Sequence, residues 1–99
     1  MSVLVVVKVS GNTDTFQKAL MDRAAEFEAV ADRAKAAGAI HHRFGVGDGF
    51  VMAVDEWQTA AGFEAFFADP DMQAFVGSIG AEAAPVITVT EAIASPDEF

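Results

Sequence analysis

Apolar residues fall into stretches of two different periods along this chain. Val3 to Val9 is apolar except at Lys8 and mostly β-branched, which predicts a strand covered on both faces and ended by Ser10-Gly11. Asn12, Thr13 and Asp14 then offer capping oxygens, and Phe16, Leu20, Phe27, Val30 and Ala34 recur at helical spacing. This pattern predicts one long helix closed at Gly38, where a left-handed residue can stop it.

Two further stretches, Ile40 to Val46 and Phe50 to Trp57, flank Gly47-Asp48-Gly49 and predict a tight hairpin, because Asp-Gly suits positive φ angles. Thr59 can cap a second helix carrying Phe63, Phe66 and Phe67. Asp69-Pro70 pairs a cap with a first-turn proline and restarts that helix toward Phe75 and Val76. Pro85 opens a last strand, Val86 to Thr90, whose alternation gives it one apolar face. Ser95 to Phe99 is expected to be a short tail.

The order strand, helix, strand, strand, helix, strand predicts an α+β domain of the ferredoxin-like βαββαβ type spanning 1–99. Its four-stranded antiparallel sheet should have spatial order 4-1-3-2, because each right-handed crossover leaves a slot for a strand of the other unit. The residues agree with that order. The first and third strands are apolar on both faces and belong at the centre, whereas His41, His42, Arg43 and the alternating threonines mark the edges.

Two helices cover only one face of such a sheet. Leu4, Val6 and their neighbours on the third strand would then face water, and monomers rarely expose contiguous apolar patches beyond a few hundred Å². Covering about 500 Å² per subunit contributes on the order of 10 kcal/mol gross for each partner, at about 25 cal/mol per Å². A homodimer joined through the sheet faces is the expected remedy.

Composition narrows the functional classes. A chain of 99 residues that is 53% apolar, with nine Phe and one Trp, has no unbroken run long enough to span a bilayer, so a soluble protein is expected. No Cys is present, which removes disulfides and thiolate chemistry, and a cytoplasmic location is the default expectation. A formal charge of -9 repels phosphate backbones and anionic membranes, so neither nucleic acid nor a membrane is an expected partner.

The candidate chemistry lies on the hairpin. If Asp48-Gly49 is a two-residue loop, His42 stands opposite Asp55 and His41 opposite Glu56. A carboxylate beside His42 would hold the imidazole in one tautomer, suiting a general base that takes a proton from a phenol or enol. The bland alternative is that His41, His42 and Arg43 blunt an edge strand against aggregation. Trp57, Phe44 and Phe66 are candidate walls for a small apolar or aromatic ligand, although large aromatics where strand meets helix are commonly packing. Arg43 could orient an anionic substrate or oxyanion, or pair with Glu56 or a partner subunit. Adjacent histidines on a strand point to opposite faces, so no metal site is expected.

The segment Val54-Asp55-Glu56-Trp57-Gln58-Thr59 followed by Gly62-Phe63-Glu64-Ala65-Phe66-Phe67, with Gly38-Ala39-Ile40 entering the second strand, resembles the dimeric α/β-barrel superfamily. Within it the chain is similar to the antibiotic-biosynthesis-monooxygenase-like domains. The resemblance implies two copies forming a barrel. It also implies a spread of functions: cofactor-free oxygenases of polyketide-type aromatics, haem-degrading enzymes, lactone isomerases and proteins without assigned activity. Haem-degrading members would place a His near Phe75 and a Trp near Phe66, and neither is there, so no cofactor is expected. Quinone-forming members carry an Asn four residues before the strand-end Trp, where this chain has Ala53. The expected function is a cofactor-independent monooxygenase or isomerase acting on an aromatic or enolisable metabolite. The alternative is a non-catalytic ligand-binding or interaction domain.

Overall fold

A computed structural model describes all residues from 1 to 99. Strand β1 (Val3–Ser10) is followed by helices α1 (Thr13–Asp22) and α2 (Ala24–Ala37), then by the hairpin of β2 (Ala39–Gly47) and β3 (Phe50–Trp57). Helices α3 (Ala60–Ala68) and α4 (Pro70–Ser78) lead to β4 (Val86–Glu91). The four strands form one antiparallel sheet in the order β2-β3-β1-β4, which is the expected ferredoxin-like arrangement.

Local chemistry sets the element ends. Asn12 Oδ1 accepts from the Thr15 amide, Thr59 Oγ1 from Gly62, and Asp69 Oδ1 from Asp71, so three helix starts satisfy a backbone N–H that the helix itself cannot. Gly38 closes α2 with φ 117°. At the hairpin only Gly49 has positive φ, at 78°, and Asp48 stays in the ordinary region. A Cβ at Gly49 would meet nothing within 4 Å, so substitution there strains the backbone without a clash. Gly49→Ala is expected to cost about 1–2 kcal/mol. Thermal denaturation should show Tm falling by roughly 4–8 °C per kcal/mol.

The long helix expected from Asn12 to Gly38 is two helices. Arg23 leaves the helical region (φ -123°, ψ 31°), and its guanidinium donates to Ser78 Oγ at 2.9 Å while lying over the Phe75 ring. The break is therefore tied to α4. The same guanidinium bonds Glu26 and holds its carboxyl below the usual range.

Pairing register divides the sheet residues cleanly between two faces. Val3, Val5, Val7 and Trp57 point toward the helices and are buried together with Phe63. Leu4 and Val54 point the other way and are 45% and 48% exposed. Only 7 of 99 residues are buried in the single subunit, so the sheet's second face contributes almost nothing to its core.

Candidate functional site

The site is built by the β2–β3 register. His42 pairs with Asp55 and His41 with Glu56, as the two-residue loop requires. Because side chains alternate along a strand, His42, Phe44, Ala53, Asp55 and Trp57 share the helix-facing side. His41, Arg43, Val54 and Glu56 share the open one.

On the helix-facing side, His42 Nδ1 lies 2.6 Å from Asp55 Oδ1. The other carboxylate oxygen, Oδ2, accepts from Trp57 Nε1 at 3.1 Å. An ionised carboxylate can only accept, so a neutral His42 carries its proton on Nδ1 and keeps Nε2 free. Exposure differs sharply across this group: the His42 side chain is 42% exposed, that of Asp55 10%, and Trp57 1%. The imidazole is thus the accessible end of a hydrogen-bonded chain anchored in the core.

These residues line a cavity of about 360 Å³ between sheet and helices, and 21 of its 28 lining residues are hydrophobic. Such walls suit an apolar, flat molecule held by few polar contacts. Along β3 the dyad stands between two aromatic groups. Trp57 packs on Phe63 and Phe66 at ring-centre separations of 5.5 and 5.4 Å. Phe44 packs edge-on against Phe16 at 5.0 Å, and Phe27 against Phe75 at 5.0 Å, while the His42 ring stands edge-on to Phe44 at 4.5 Å.

Of the six residues singled out from sequence, the fold brings five to this cavity: His42, Asp55, Trp57, Phe44 and Phe66. Arg43 is not among them. It pairs with Val54 on the opposite face, and the chain's three ion pairs do not include it, so within one subunit it neither meets His42 nor bridges to Glu56. Glu56 accepts instead from the Ser2 hydroxyl. All of Phe63, Phe66, Phe67 and Phe75 line the cavity, Phe63 as buried core and the other three half-buried.

No family model matches the chain, and no curated protein matches it in sequence. Solved structures do match over nearly its whole length. A monooxygenase from Streptomyces coelicolor, in complex with nanaomycin D, superposes with TM-score 0.70 at 14% identity, covering 95% of this chain and 89% of the other. SnoaB, a cofactor-independent oxygenase from Streptomyces nogalater, gives 0.67 at 14% identity with 98% of each chain covered. This chain has the antibiotic biosynthesis monooxygenase-like fold. A protein of unknown function from Nitrosomonas europaea shares the fold equally, with TM-score 0.65 at 18% identity over 99% of this chain and 95% of that one. At such identities the likeness fixes architecture and leaves chemistry to this chain's own residues.

Within this fold, two features of the site were not anticipated from sequence. The first is the bond from Trp57 to Asp55. Its only sequence signal is their i, i+2 spacing, which puts both on one strand face. The second is the part α2 plays in the wall, through Glu28, Val30, Ala31 and Lys35. None of the helices is long and apolar enough to cross a membrane.

Proposed function

We propose that the protein is a homodimeric, cytosolic enzyme, with the whole of 1–99 acting as one unit, that removes a proton from a neutral aromatic or enolisable metabolite without a bound cofactor. The observation carrying this reading is the 2.6 Å contact of His42 with Asp55 at the edge of an apolar cavity. His42 Nε2 is the base, and Asp55 orients the ring and stabilises the imidazolium that forms. Trp57, Phe44 and Phe66 are the walls. Carboxylates of Asp55 and Glu28 against the single ammonium of Lys35 in the lining favour an uncharged substrate over an anionic one. Arg43, on the outer face, is assigned to contacts with the second copy.

Two outcomes follow from the same proton abstraction. In oxygenation, an acidic methylene and O2 give a carbonyl and water: one oxygen atom is retained, and the other leaves with the two methylene hydrogens. In isomerisation, the imidazolium returns the proton to another carbon, and no oxidant is needed. The solved Streptomyces oxygenases of the same fold support the first.

Ala53 favours a second reading, a non-catalytic binder of apolar ligands. It lies on the cavity wall and offers no donor to polarise a substrate carbonyl. Anthrone, a neutral three-ring ketone with one acidic methylene, separates the readings. An oxygenase consumes one O2 per carbonyl formed, and a base without oxygenation accelerates methylene deuterium exchange in D2O. Quenching of Trp57 fluorescence with neither reaction would establish the binder. Absence of both reactions across a panel of neutral phenols and enols that do bind would remove the enzyme.

A further inference from the structure

We propose that Trp57 is a positioning residue whose indole N–H locks the Asp55 carboxylate and, through it, the tautomer of His42; this deepens the reading of His42 as the base and rests on it. A carboxylate held by one hydrogen bond can rotate about its terminal torsion, which is broad and soft. Asp55 is held by two. Oδ1 takes His42 Nδ1 at 2.6 Å, and Oδ2 takes Trp57 Nε1 at 3.1 Å, so the carboxylate plane is set by donors on separate residues. The Trp57 donor is itself immobile: the ring is 1% exposed and packed against Phe63 and Phe66. Rigidity therefore passes from the core through Trp57 and Asp55 to a His42 ring that is otherwise 42% exposed.

This arrangement changes what Trp57 can do for a ligand. Its only hydrogen-bond donor is already used inside the chain, so the indole has no N–H left for a substrate carbonyl. Sequence position alone suggests a wall residue. The bond makes it also the fixed end of the dyad. Without it, Asp55 Oδ2 loses its partner in a wall where its side chain is only 10% exposed, and the carboxylate turns toward solvent. His42 is then free to exchange its proton between Nδ1 and Nε2, and a proton on Nε2 blocks the base.

The test is 15N NMR of the imidazole nitrogens in Trp57→Phe, with His41→Gln assigning the signals, since the chain has only two His. Wild-type neutral His42 should show protonated Nδ1 alone, and Trp57→Phe a mixture of both tautomers. On any substrate identified, kcat should fall about 10- to 100-fold, the effect of losing one hydrogen bond to a charged group, with KM little changed. A single Nδ1–H tautomer retained in Trp57→Phe would overturn the positioning role while leaving His42 as base untouched. Full turnover in His42→Ala would instead remove the base and leave the tautomer result to decide Trp57 alone. Should Trp57→Phe fail to fold, the one indole N–H resonance in otherwise wild-type protein serves. In Asp55→Ala it should shift and exchange faster with water, and an unmoved signal would overturn the proposal.

Discussion

Replacing His42 with alanine should lower kcat on a proton-abstraction substrate by roughly 10²- to 10⁴-fold, the usual contribution of a positioned general base. The fold should tolerate the change. The His42 side chain is 42% exposed and makes a single hydrogen bond, and Asp55 retains Trp57 as a donor after truncation. Stability and oligomeric mass measured beside kcat separate chemistry from folding. His41→Ala is the matched control: it removes the neighbouring imidazole from the opposite face, where His41 pairs with Glu56 away from the cavity. Equal turnover in wild type and His42→Ala would return the histidines to the role of edge-strand decoration.

That control is available because strand alternation, the most legible feature of the sequence, is also what decides the site. A strict period of two and an Asp48-Gly49 turn were enough to place His42 against Asp55, while the crossover rule and the two-face apolarity of β1 and β3 were what gave the sheet order. The same rule sends Arg43 to the outer face, so proximity in sequence to His42 was misleading for a role in the cavity. Register slips where the rule is broken: a bulge between Ala39 and His41 puts Ala39, not Ile40, opposite Trp57. No local residue signal marks that extra position.

The helices were less legible for a different reason. Leu20 and Phe27 are seven residues apart, two helical turns, so the apolar stripe continues across Arg23 and conceals the break there. What ends α1 is tertiary: the guanidinium of Arg23 reaching Ser78 and Phe75, 55 and 52 residues further on. Cavity formation was likewise illegible. How far a phenylalanine beneath the helices is covered depends on where α2 and α4 sit: Phe63 is buried and Phe66, Phe67 and Phe75 are half-buried, although all four line the cavity.

Placing an aspartate at Leu4 should convert the proposed dimer to monomer, and this is the largest effect expected on assembly. Leu4 is on the central strand β1, 45% exposed, and points away from the helices between Glu56 and Thr90. In a lone subunit Leu4→Asp therefore touches water and leaves Val3, Val5 and Val7 packed as before. Across a sheet-to-sheet interface the same side chain is an unpaired charge beside a second carboxylate, and it is too short to reach solvent. Each such charge costs about 3–5 kcal/mol. Two related copies carry two of them, so Kd should rise by at least about 10²-fold on the first alone. Sedimentation at micromolar concentration is the measurement, with Leu4→Ala expected to weaken association far less. A wild-type chain that sediments as a lone subunit would leave Leu4, Val6 and Val54 as bare apolar surface, and the architecture would then need another cover for that face.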